Sequence, residues 1–261
     1  MQTRVDDPGK GAIQKRDGTQ VKPARASPSE LIRHRWPGQA FSASLVSRPN
    51  RFLAVCRVGR RTVTAHVPDR GRCLDLLVPG RAVAVVQAAG PLRRTQHTAL
   101  LAQSSSGVWV SLDPAGAPRL VAEALRRGLL PSLAGLTAVR REVTVGDSRI
   151  DLLLAPGDVL CEVKSVGAQR GGVALFPDAP TVRGTRHLAL LERLARRGRR
   201  TAVVFCAQRG DVTAVAPDEE IDPTFARTLR RAARAGVLVA AVRCAAHPAG
   251  MEIHGEIPVL V

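Results

Sequence analysis

Apolar positions come in short, broken runs over the first half of the chain and at helical spacing over parts of the second. Between residues 41 and 112 each run stops at a turn residue. Residues 52–58 end at Gly59, 62–67 at Pro68, and 82–86 before Gly90-Pro91, with 98–103 and 108–112 following. Strands this short and this regularly interrupted predict a small β barrel or sandwich. From 117 the pattern changes. Leu120, Val121, Ala124 and Leu125 form the stripe of a helix over 118–128. Residues 139–145 and 148–154 predict two strands joined at Gly146-Asp147, and Pro156-Gly157-Asp158 turns into a third, 159–166. A glycine-rich loop is expected over 167–172. Leu188, Leu191 and Leu194 mark a helix over 185–197, 201–207 reads as a strand, and Asp222 and Gly236 bracket a helix over 223–235. Residues 237–244 are the last expected core strand. The order α-β-β-β-α-β-α-β predicts a mixed sheet flanked by helices. Residues 1–37 lack apolar periodicity and are rich in Gly, Pro, Ser and basic residues, so a disordered basic extension is expected there. The expected organisation is 1–37, an extension; 38–116, a β barrel; and 117–261, an α/β (α+β) domain.

Composition narrows the partner. The 261 residues carry 39 basic and 22 acidic side chains, a formal charge of +17. The surplus is not confined to the extension: residues 38–116 hold 10 basic and 3 acidic residues, and 117–261 hold 21 and 15. Arginine-rich codon usage alone would not strip Asp and Glu from 38–116. A polyanion is the expected partner, and nucleic acid, DNA or RNA, the commonest one. That charge makes an OB-like barrel the natural reading of 38–116. Its aromatic residues are only Phe41, Phe52 and Trp109, so contact through the phosphate backbone is expected more than base stacking. No stretch approaches 18 uninterrupted apolar residues, which excludes a membrane-spanning helix, and no secretory signal is expected. The five cysteines are scattered and never form a CxxC pair, so neither a disulfide framework nor a cysteine zinc site is expected, and a reducing cytoplasm fits.

The candidate chemistry lies on the second and third strands of the three-strand meander. Alternation places Asp151 opposite the Ile150, Leu152 and Leu154 face, and places Glu162 and Lys164 together, opposite Val159, Cys161 and Val163. Asp151 can then face Glu162 across one sheet step. Two carboxylates that close repel, and a divalent cation, Mg²⁺ or Mn²⁺, would relieve the repulsion. A lysine beside it can hold or deprotonate a water for attack on phosphorus. Of the 39 basic residues only 4 are lysine, and Lys164 is the only one after residue 22. A lysine kept where arginine is otherwise the rule points to a need for a compact ammonium.

Asp-x(n)-Glu-x-Lys on these strands resembles the motif of the PD-(D/E)xK nuclease superfamily. The chain also resembles the sugar fermentation stimulation (SfsA) family from about Phe41 to its end. The stretches that carry this are Arg51-Phe52-Leu53-Ala54, His66-Val67-Pro68-Asp69-Arg70-Gly71, Gly146-Asp147-Ser148-Arg149-Ile150-Asp151, Cys161-Glu162-Val163-Lys164-Ser165-Val166, Phe176-Pro177-Asp178-Ala179 and the run 181–188. The resemblance implies an OB-like domain joined to a PD-(D/E)xK-like nuclease domain, with DNA binding. It departs at 68–71, where the family's Pro-Asn-Thr-Gly reads Pro68-Asp69-Arg70-Gly71.

On this reading Asp151 and Glu162 bind metal with the Val163 carbonyl, and Lys164 positions the water. Glu123 stands where such nucleases often place an acid on the first helix. Arg51, Arg149, Arg183 and His187 are expected to contact phosphate, Arg183 from a helix start. Asp178 is read as a cap of the turn before Pro180. The expected activity is metal-dependent phosphodiester hydrolysis of nucleic acid. The competing reading is a non-catalytic DNA-binding regulator that keeps a nuclease fold.

Overall fold

The computed structural model describes residue 36 and residues 38–88 and 94–261, all within one compact unit, Leu31–Val261. Apart from Trp36 and the segment's boundary, the expected basic extension lies outside the described residues. The first layer consists of β1 (Ala40–Asn50), β2 (Leu53–Val58), β3 (Arg61–His66), β4 (Ala82–Gln87), β5 (His97–Gln103) and β6 (Trp109–Ser111). β1 pairs antiparallel with β2 and β4, β2 with β3, and β4 with β5. β3 then closes the ring on β5 in parallel, Ala65 against His97 and His66 against Thr98. This is a closed five-strand barrel of the expected OB kind, and closure removes the exposed strand edges. β6 extends β5. Leu45, Ala54, Cys56, Ala65, Val83, Val85 and Ala99 fill the barrel.

The second layer is built from α1 (Ala117–Arg126), β7 (Thr137–Val145), β8 (Ser148–Ala155), β9 (Val159–Val166), β10 (Ala168–Arg170), β11 (Val173–Phe176), α2 (Val182–Ala195), β12 (Thr201–Ala207), β13 (Ala214–Pro217), α3 (Pro223–Arg234), β14 (Leu238–His247) and β15 (Gly250–Ile257). Six of these strands form a mixed sheet in the order β15-β14-β12-β9-β8-β7, and β10-β11-β13 form a small one. Alternation along β9 decides what covers each face. Cys161 and Val163 face α1 and the outer side of the barrel at Ala84, Val86, Leu100 and Leu101. Leu160 and Val166 face α2 and α3, through Leu188, Leu191, Phe225 and Leu229. Barrel and sheet therefore share one core.

Four expectations need correction. The segment 167–172 is not only a loop: β10 and β11 make a hairpin around Gly171 and Gly172, both at positive φ. α2 begins at Val182, not 185, because the Thr181 hydroxyl accepts from the Gly184 N–H and caps the helix there. The strand expected over 237–244 is not the last: it is β14, which runs on to His247 and turns into one further strand, β15. Ile150 does not share the face of Leu152 and Leu154 but packs with the α2 and α3 side. The β8–β9 ladder stops at Leu152, and from Ile150 to Ser148 β8 is paired with β7 alone, Ile150 opposite Val143 of the same cluster.

One buried cation ties the layers together. Arg209 is fully buried, donates to Asp211 at 2.7 and 2.9 Å and to the Gly167 carbonyl at 2.7 Å, and reaches Asp75 of the barrel segment at 3.4 Å. Removing one member of such a set strands the others without partners. Arg209→Ala is expected to lower stability by about 2–3 kcal/mol, read as an earlier urea midpoint at unchanged slope.

Candidate active site

β9 is paired along its whole length on one side and only in part on the other. Against β12 the register runs from Leu160–Thr201 to Val166–Ala207. Against β8 it holds only for Leu154–Val159, Leu153–Leu160 and Leu152–Cys161. The next antiparallel step would oppose Asp151 and Glu162. There the ladder gives way to a side chain: Asp151 Oδ2 accepts the Val163 N–H at 2.8 Å. The opening of the sheet thus places both carboxylates and the Val163 backbone in one place.

Glu162 is 3% exposed, Lys164 8% and His187 2%. Lys164 Nζ donates to Glu162 Oε1 at 2.7 Å, and His187 Nδ1 lies 2.5 Å from the same oxygen. Glu162 Oε2 is buried and has no hydrogen-bond partner. A buried carboxylate oxygen without a donor is costly in a folded protein. Burial works against ionisation of Glu162, but the hydrogen bonds from His187 and Lys164 and the lysine charge outweigh it, and its carboxyl is held below the usual range. Asp151 goes the other way. Burial first, and then the neighbouring Glu162 charge, push its carboxyl up to about 6, against the pull of the Val163 N–H, Lys164 and His187. Two close carboxylates split in this way, one with a bare oxygen, fit a hard divalent cation. The residues that could hold it are Asp151, Glu162 and the Val163 carbonyl.

Lys164 and Val163 also line a cleft of about 350 Å³. The segment 176–181 forms another wall, and the barrel loop 68–71 a third.

The remaining expected site residues are dispersed. Glu123 is not brought to the cluster: it bonds Arg126 at 2.8 and 2.5 Å and Arg127 at 2.7 Å on α1, which packs on the sheet face opposite Glu162. Its carboxyl is drawn down to about 2, first by the Arg126 hydrogen bonds. Arg149 faces Glu142 at 3.8 Å, both largely exposed. Arg183 is exposed on the first turn of α2, and Arg51 is exposed with its guanidinium 4.9 Å from the Phe52 ring. His187 is the clearest correction. It lies on the buried stripe of α2 with Gly184, Leu188 and Leu191 and holds Glu162, so it is not a surface phosphate contact. That stripe was the signal for its inward position. Asp178 does not cap its own turn; its Oδ2 accepts the Cys73 N–H of the barrel segment at 3.2 Å.

A second group of potential ligand atoms, from Asp69, Cys73 and Asp178, lies within 4.8 Å of one another. Here the Gly71 and Cys73 N–H groups already occupy oxygens of the two carboxylates, and burial pushes the Cys73 thiol well above its usual range. The donor set is therefore poorer for a cation than the one at Glu162. All five cysteines are buried and free of disulfides, and no helix among the described residues is long and apolar enough to cross a membrane.

Comparison with known proteins agrees with this layout. Residues 46–112 match the model of the SfsA N-terminal OB domain, and 116–250 that of the sugar fermentation stimulation protein RE domain. A sugar fermentation stimulation protein homolog of Chloroflexus aurantiacus is 46% identical over 83% of this chain and 84% of its own length. One from Moorella thermoacetica is 43% identical over 81% and 93%. Among solved structures, that of Pyrococcus furiosus SfsA in complex with Ca²⁺ superposes with a TM-score of 0.77 at 30% identity, covering 85% of this chain and 96% of that one.

Proposed function

The chain belongs to the sugar fermentation stimulation protein (SfsA) family, and from that premise we propose that it is a divalent-metal-dependent nuclease that hydrolyses phosphodiester bonds of nucleic acid. The observation that carries this reading is the state of Glu162: two donors saturate Oε1 and leave Oε2 buried and bare, in a carboxylate whose charge Asp151 feels. A salt-bridged surface pair would leave no such oxygen. The Ca²⁺ complex of the Pyrococcus relative supports a divalent cation in the family.

Asp151, Glu162 and the Val163 carbonyl would hold Mg²⁺ or Mn²⁺. When bound, such an ion offsets charge on a phosphate and makes a bound water more acidic. The chain supplies the rest. His187 fixes Glu162 in one orientation from beneath. Lys164 has three N–H donors and spends one on Glu162, so two remain for a water or a phosphate oxygen in the cleft it lines. The surplus of exposed arginines draws the polyanion in without sequence preference.

The test is direct: labelled single- and double-stranded DNA and RNA with Mg²⁺, Mn²⁺ or EDTA. Cleavage with metal and none with EDTA is expected. Binding without cleavage under every condition would favour the non-catalytic regulator.

The raised Asp151 carboxyl sets the pH dependence. Below about 6 the cation must displace a proton from Asp151, and above it the site is already ionised. Apparent Mn²⁺ affinity is therefore expected to be flat above pH 7 and to fall by up to about tenfold per unit below 6. Calorimetry from pH 5 to 8 in buffers of different ionisation enthalpy checks this, with proton release appearing only on the acid side.

A further inference from the structure

The cleft beside Lys164 is not made by the sheet domain alone. Its third wall is the barrel loop 68–71, and that loop is held stiffly. Asp69 Oδ1 accepts the Gly71 N–H at 2.8 Å, and Arg48 donates to the Gly71 carbonyl at 3.0 Å and to the Arg72 carbonyl. From the other side Asp178 holds the Cys73 N–H. The approach is so close that a Cβ on Gly71 would sit 2.1 Å from Asp178 Oδ2, so any larger residue there would push the Asp178 carboxylate aside.

On this pinned loop Arg70 lines the cleft, is exposed, and forms no hydrogen bond or ion pair among the described residues. Its neighbours Asp69 and Asp178 are both engaged by backbone N–H groups, whereas its own guanidinium is free. A cation held without a partner on the rim of a cleft, with Lys164 recessed in the wall, is arranged for two successive anions. The dimensions limit what can present them. About 350 Å³ between a barrel loop and the 176–181 segment is at the small end of ligand clefts and suits one nucleotide, not a base pair.

Building on the hydrolytic reading, we infer that the cleft takes one unpaired strand at a time, and that Arg70 holds a phosphate next to the one presented to Lys164. The substrate class is single-stranded nucleic acid. The barrel is then part of the site and screens base-paired duplex from Lys164.

The test uses the full chain, a fluorescein-labelled single-stranded DNA oligonucleotide and the blunt duplex of the same sequence. Anisotropy without divalent metal is measured over a salt series for the wild type, Arg70→Ala and, as a remote control, Arg234→Ala. Arg70→Ala is expected to weaken single-strand binding about five- to tenfold. Its log–log salt slope should become shallower by about 0.7. Duplex binding should change less than twofold. Arg234→Ala should affect both probes alike. With Mn²⁺, the wild type should cut the single strand at least tenfold faster than the duplex, and Arg70→Ala should raise KM more than it lowers kcat. Equal effects of Arg70→Ala on both probes, or no effect, would overturn the inference. So would duplex cut as fast as single strand, although hydrolysis itself would then stand. If nothing is cut, the hydrolytic reading fails, and the strand cleft is still decided by the two binding series.

Discussion

Lys164→Ala is expected to lower cleavage by about 10²–10⁴-fold, the range that a positioned proton-transfer group contributes. It should leave nucleic-acid binding nearly intact. The lysine is one positive charge among 39, so the salt slope should change by at most about one unit. The fold should survive, because His187 still holds Glu162 Oε1 when the ammonium is gone. Lys164→Arg should not restore activity. At 8% exposure there is little room for a planar guanidinium, and it is too basic to exchange a proton with water. Single-turnover rates with Mn²⁺, alongside anisotropy in EDTA, separate the two effects. A variant that binds and cuts like the wild type with an unchanged thermal midpoint would remove Lys164 from the mechanism.

Asp151→Asn is expected to do two opposite things. It should abolish metal-dependent cleavage and most of the stabilisation by Mn²⁺, which for a site filled at 100 times its Kd is about 2.7 kcal/mol. It should also make the metal-free protein more stable. Below pH 4 Asp151 is protonated in both folded and unfolded chains and contributes nothing to the difference. Between about 4 and 6 the unfolded chain ionises first, so native stability falls as pH rises. Above the folded value of about 6 the loss is complete and constant. Asparagine keeps an oxygen to accept the Val163 N–H and carries no charge toward Glu162. The gain should therefore be on the order of 2 kcal/mol at pH 7.5, a midpoint higher by several degrees, and should vanish near pH 4. Loss of apo stability at pH 7.5 would mean that Asp151 is a structural acceptor and not a strained ligand.

The strand pair that carries the site was legible because local chemistry specifies it. Gly146 and Gly157 take the positive φ their turns require, and the alternation of Glu162 and Lys164 against Cys161 and Val163 is unbroken. The scarcity of lysine then singled out Lys164. β13 and β15 were not legible: the first is four residues long, and the second is interrupted by Gly255 at positive φ. The strand β1 carries its inward side chains only as Ala43 and Leu45 among serines, a weak periodicity that the barrel completes through pairing on both sides. His187 was misread although it lies four residues before Leu191 and seven before Leu194, a spacing that turns the ring inward wherever the helix begins. Glu123 illustrates the limit of motif analogy. A position on the first helix does not say which face of the sheet that helix covers. The Asp178–Cys73 bond joins residues 105 apart and leaves no local trace at all.

Manganese anomalous scattering from crystals of the full chain tests the central assignment most directly. The expected result is a peak between the Asp151 and Glu162 carboxylates and the Val163 carbonyl, lost in the Asp151→Asn and Glu162→Gln double variant. A peak at Asp69, Cys73 and Asp178 instead, with Glu162 Oε2 left bare, would contradict it.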